Sequence, residues 1–143
     1  MWIDPTLWPK LHGAATHFPV ALTFCATFLD GLAFVWPGAS PRKSQLRAAG
    51  YWTVILGALG TFPAVISGLV LARGEAWGQG ALLRHHLFVW PAFALLVGLG
   101  FWRGVVNDQS SRRGFAAYLA VLFLTAALMA AAGFWGGELL LNS

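Results

Sequence analysis

The chain has 143 residues, of which 58% are hydrophobic and 10% charged, with a mean hydropathy of +0.68. Ordinary soluble domains carry about 25% charged residues, so there is too little polar surface here to cover a water-soluble particle, and a single integral membrane domain is predicted. The net charge of +4 does not point to nucleic acid, because the nine Lys and Arg residues are scattered through the links between apolar runs and form no basic face.

The first residues, with Trp2, Asp4 and Trp8, read as an interfacial lead-in, since indole rings favour the headgroup layer. The apolar run behind them is longer than the h-region of a signal peptide and is predicted to stay as a span. That first span covers about residues 13–36 and ends at Pro37-Gly38. It contains the lone cysteine, Cys25, which has no internal disulfide partner and reads as a small buried hydrophobe. A basic link with Arg42, Lys43 and Arg47 follows.

The second span covers about residues 50–71, rich in small residues that let helices approach closely (Gly57, Gly60, Ser67, Gly68) and with a kink expected at Pro63. The next link, about residues 72–84, is polar and glycine-rich, contains Arg73 and Glu75, and is expected to fold back on the rim of the bundle. A third span covers about residues 85–102, and a link with Arg103, Asp108, Arg112 and Arg113 leads to the fourth, about residues 115–135. The fold class is thus all-α, a bundle of four transmembrane helices.

Four spans place both termini on one side of the membrane. Six basic residues lie in the first and third links (Arg42, Lys43, Arg47, Arg103, Arg112, Arg113), against three on the opposite side (Lys10, Arg73, Arg84). The positive-inside bias therefore predicts cytoplasmic first and third links and termini on the outer, periplasmic side. This orientation gathers His12, His17, His85, His86, Glu75 and Glu138 in the outer half of the membrane, with Asp30 toward the inner side.

Ionisable groups at membrane depth are costly and mark functional sites. His12 and His17 lie five residues apart, about 140° round an ideal helix, and the adjacent His85 and His86 diverge by about 100°. Neither pair can face one ligand, so the natural pairing takes one histidine from each helix. Two imidazoles facing across a bundle are how a b-type haem is held. The deeper pair, His17 and His86, are the expected axial ligands of the haem iron. His12 and His85 are then placed near the propionates or a quinone headgroup, with Arg73 and Arg84 as propionate partners. Ala14, Ala21, Gly133 and Gly137 are expected to make room for the porphyrin.

Other readings of the same residues stay open. The histidines can be plain interfacial polar groups, or His17, His85 or His86 with Glu138 can bind copper or zinc. Asp30 reads as a buried carboxylate hydrogen-bonded to Ser, Thr or Trp of a neighbouring helix, or as a proton-relay group. Motifs of soluble enzymes are missing: there is no phosphate-binding glycine loop, CxxC, HExxH or serine elbow.

The opening Leu11-His12 with His17-Phe18-Pro19-Val20-Ala21-Leu22, Asp30, Arg84-His85 and the closing Gly136-Gly137-Glu138-Leu139 resemble a family of small bacterial four-helix membrane proteins catalogued as a domain of unknown function. Gly13 stands where that family usually has proline, and the tail after Leu139 is shorter than in many members. The resemblance implies four helices, a histidine cluster on one side and a place in the bacterial inner membrane, with haem binding suspected of such proteins. Together with the histidines it leads to a cytochrome b-like electron-transfer or anchor subunit of a respiratory or dehydrogenase complex. Such a subunit would sit in membrane lipid among other membrane subunits and exchange electrons with quinone or a periplasmic redox protein. Almost nothing of the chain lies outside the spans, so it is not expected to be a stand-alone enzyme. A cofactor-free structural subunit is the competing expectation.

Overall fold

The computed structural model describes residues 7–106 and 110–141. Four helices account for nearly all of them: α1 (Leu7–Val35), α2 (Pro41–Leu71), α3 (Gly80–Val106) and α4 (Arg112–Leu141). The lead-in residues Trp2 and Asp4, and Asp108 of the third link, lie outside the described residues. Each helix is long and apolar enough to cross a membrane. Consecutive helices pack on one another and α1 closes the ring against α4, with the α1–α2 pairing the most extensive.

The helices extend beyond the apolar spans read from the sequence because their polar ends are capped. Ser40 accepts a hydrogen bond from the Lys43 amide at 3.3 Å, with Pro41 at the first helical position, and so starts α2 nine residues before its apolar run. Ser111 does the same for α4 through the Gly114 amide, at 3.1 Å. Pro37 and Gly38, the latter at φ +66°, end α1 as expected. Pro63 lies inside a continuous α2, as Pro19 and Pro91 do inside α1 and α3. Neighbouring hydroxyls engage the backbone at two of these prolines, Thr23 donating to Pro19 O and Ser67 to Pro63 O, both at 2.7 Å.

The interior combines small and polar residues with a cluster of larger apolar ones such as Leu96, Leu122 and Phe115, and many other large apolar residues face outward. Thr23, Ala26, Thr27, Ala33, Val54, Ala58, Ala64 and Thr125 are buried, whereas Phe28, Phe101, Val105 and Phe134 stand outward, Phe101 at 75% exposure. Lipid is the solvent that accepts so much outward apolar surface. Cys25 corrects its expectation: it is exposed, because it lies off the stripe of Pro19, Thr23, Ala26, Thr27, Asp30 and Ala33 that α1 turns inward.

One end of the bundle is tied by a buried ion pair. Arg103 of α3 donates to Asp30 of α1 at 3.1 Å with both side chains fully buried, and also to the Arg47 carbonyl of α2 at 3.0 Å. Tyr118 of α4 donates to the other Asp30 oxygen at 2.8 Å, so all four helices meet here. Gly50 makes the approach possible, since a Cβ there would fall 2.3 Å from Asp30 Oδ1. An arginine and a tyrosine are thus among the partners of Asp30.

Removing one member of a buried ion pair costs about 3–5 kcal/mol. Arg103→Ala is expected to lower the unfolding midpoint in detergent sharply, and Gly50→Ala to do so by crowding the carboxylate. The Asp30→Asn/Arg103→Met double variant should be less destabilised than Arg103→Ala, and circular dichroism melts check the order.

Candidate functional site

The opposite end of the bundle carries the histidines, and each is seated by a hydrogen bond that its own position dictates. His12 of α1 meets two acceptors on α2, the Ala64 carbonyl and the Ser67 hydroxyl oxygen, both 3.1 Å from Nδ1. His85 of α3 bonds through Nδ1 to the Ala132 carbonyl of α4 at 2.8 Å. In both cases a glycine four residues after the accepting carbonyl leaves room for the ring. A Cβ at Gly68 would lie 2.9 Å from His12 Cε1, and one at Gly136 would lie 3.3 Å from His85 Cε1. The two helical hairpins thus repeat one device, an alanine carbonyl and a glycine one turn later forming a notch for the histidine of the partner helix.

His86 is buried and bonds through Nδ1 to the Trp77 carbonyl at 3.2 Å, while Trp90 Nε1 donates to the Ala76 carbonyl at 2.6 Å. These two bonds fold the α2–α3 link onto the head of α3, as its glycines predict. The ring of His86 lies 5.7 Å from that of His85 and 6.1 Å from that of Trp90. His17 is exposed and bonds to the Gly13 carbonyl of its own helix. It makes no hydrogen bond or ring contact with another histidine among the described residues.

A carbonyl oxygen only accepts, so Nδ1 carries the proton in all four rings and a neutral imidazole keeps its lone pair on Nε2. His12 and His85 lie at the same end of the bundle, each bonded to the helix that follows its own. The sequence pairs His17 with His86; the first is turned to its own helix and the second to the α2–α3 link. Arg84 stacks 4.7 Å over the Trp135 ring, one residue from His85. Arg73 is exposed at φ +53° in the turn after α2. Gly133 and Gly137, expected to make room for a cofactor, face open space; the glycines that hold rings are Gly68 and Gly136. No group of three or more His, Cys, Asp or Glu able to hold a metal ion occurs among the described residues. Of the residues considered for copper or zinc, the exposed His17 is turned to its own backbone.

The sequence reading left Arg103 and Tyr118 out of any site. Arg103 directly follows the third apolar run and counted as a link cation. Its signal is its register: eighteen residues separate His12 from Asp30 and, equally, His85 from Arg103. Eighteen residues are five full helical turns, about 27 Å, so histidine and charge share one face on each helix. Helices α1 and α3 are joined through those faces at the ion pair, while their histidines turn to α2 and α4.

The family described as "Predicted membrane protein (DUF2231)" matches residues 9–142. The chain belongs to this family. The match spans both the histidine notches and the ion pair, and this DUF2231 chain is a multi-pass membrane protein with four apolar helices. No curated protein and no solved structure matches it.

Imidazole ¹⁵N spectra of the protein in micelles are expected to show His12 and His85 as neutral Nδ1–H tautomers. Gly68→Ala should perturb the His12 signals and spare His85, and Gly136→Ala should do the reverse.

Proposed function

We propose that this protein is a cytochrome b-like electron-transfer or anchor subunit, in which Nε2 of His12 and of His85 would hold the iron of a b-type haem. The observation that supports it is the shared notch: each imidazole, from α1 or α3, has its Nδ1 proton committed to a carbonyl of the next helix. A hydrogen bond of this kind sets the tautomer that binds iron and raises the basicity of the ligating nitrogen. The donor set suits bis-histidine ligation, and a haem bound there would supply a one-electron couple.

The chain's own groups take complementary parts. Ala64, Ser67 and Ala132 orient the two ligand rings, and the buried His86 beside His85 is placed to hold a proton or a quinone oxygen. Arg84, held against Trp135, offers positive charge to propionates at this end, with Arg73 in the adjoining turn. The distribution of six basic residues against three favours a bacterial inner-membrane protein whose histidines lie toward the periplasm. Quinone in the bilayer or a periplasmic redox protein is then the electron partner, and a larger respiratory or dehydrogenase complex supplies the substrate chemistry.

One observation favours a second reading, a cofactor-free structural subunit: His12 and His85 already bridge helices by hydrogen bonds. A dithionite-reduced minus air-oxidised visible spectrum of protein purified from its native membrane separates the two. Sharp b-type bands are expected, abolished in His12→Ala and His85→Ala and retained in His17→Ala. A flat spectrum, with histidine variants that assemble normally, overturns the haem reading in favour of the structural one.

A further inference from the structure

Beyond the two notches, the first hairpin is laid out again in the second. Shifting α1 by seventy-three residues puts His12 on His85, and the same shift puts the buried Thr23, Ala26 and Asp30 on the buried Leu96, Leu99 and Arg103. Shifting α2 by sixty-eight residues puts Ala64 and Gly68 on Ala132 and Gly136, and with them the buried Val54 and Ala58 on the buried Leu122 and Ala126. The outward faces follow, for Phe28 falls on Phe101 and Leu56 on Leu124, all four exposed. The inward stripes of any two helices superimpose once in every turn. That periodicity alone does not put histidine on histidine, charge on charge and notch on notch at a single shift.

In a four-span chain α1 and α3 cross the membrane in one direction and α2 and α4 in the other, so repeats of this kind are related by an axis along the membrane normal. Residues on a two-fold axis meet their own counterparts, as in an isologous dimer. Two such meetings occur. Asp30 lies 3.1 Å from Arg103, and the Arg47 guanidinium lies 4.2 Å from the ring centroid of Phe115, its counterpart sixty-eight residues on. In both, the counterparts are unlike: acid against base, and cation against aromatic ring. Two copies of the first hairpin would instead set Asp30 against Asp30 and Arg47 against Arg47, and like charges repel strongly in a low dielectric. The neighbours of the buried charges differ to match. Gly50 leaves room beside Asp30, where a Cβ would fall 2.3 Å from Oδ1. Its counterpart Tyr118 lies with its ring 5.4 Å from the Arg103 guanidinium and donates across to Asp30 at 2.8 Å.

We infer that the chain is one helical hairpin used twice, that the inner face of each copy is a docking surface for the other, and that Asp30 with Gly50 and Arg103 with Tyr118 make each hairpin accept an unlike partner and reject its own kind. Circular dichroism melts of the full chain in detergent test this with three exchanges. Asp30→Arg/Arg103→Asp moves the charges alone, Gly50→Tyr/Tyr118→Gly moves their neighbours alone, and the fourfold variant moves both. Each twofold exchange is expected to lower the melting temperature. The fourfold variant is expected to melt above the charge exchange, because acid, base, glycine and tyrosine then keep their mutual placement on exchanged hairpins. Such a rescue is a coupling between the two exchanges, and independent sites would only add their losses. A fourfold variant that melts no higher than the charge exchange overturns the equivalence of the hairpins. Asp30→Arg, which gives both hairpins the same charge, is expected to melt below Asp30→Met, which removes one charge. An Asp30→Arg variant that melts no lower overturns the rejection of like hairpins.

Discussion

The Asp30–Arg103 ion pair is the constraint around which one end of this bundle is arranged. Opposite charges that are fully buried are tolerable only when geometry and further hydrogen bonds offset their desolvation. Here Tyr118 and the Arg47 carbonyl supply such bonds, and Gly50 supplies the space. The pair adds little to net stability compared with a well-packed apolar substitute of the same volume. What it contributes is specificity, because other rotations of α1 or α3 would carry one charge into hydrocarbon.

Close packing around this centre follows from the membrane setting. Lipid gives apolar side chains no reason to turn inward, so the helices associate through small residues and interhelical hydrogen bonds. Gly57 and Gly60 of α2 let Leu22 and Phe18 of α1 lie against its backbone, and Gly68 and Gly136 do the same for the imidazoles. Histidine, arginine and tyrosine supply the polar contacts between helices, while aromatic and branched residues such as Phe28 and Phe101 are left for the lipid.

Much of this architecture was legible in the sequence because bilayer thickness imposes its own period. Runs of about twenty apolar residues broken by Pro37-Gly38, by the glycines before His85 and by the polar stretch before Phe115 announce four spans. Helix ends were less legible: the caps at Ser40 and Ser111 lie in polar sequence, where hydropathy is silent. Grouping the histidines at one end needed only the count of spans. Which of them bridge to a neighbouring helix depended on side-chain notches, and the spacing of Ala64 with Gly68 and of Ala132 with Gly136 says nothing until the helices are paired. Arg103 was misplaced for a related reason, since a cation at the end of an apolar run looks the same in sequence whether it faces water or a buried carboxylate.

The equal eighteen-residue spacing on α1 and α3 has a mechanical meaning. These two helices act as matched rulers about 27 Å long, fastened by acid to base at one end and set with imidazoles at the other. Sliding either helix by a single residue would break the ion pair at one end and pull a histidine out of its notch on α2 or α4 at the other. The ruler length is close to the hydrocarbon thickness of an ordinary bilayer, about 30 Å. A bilayer much thicker or thinner than that would have to deform around the bundle or let it tilt.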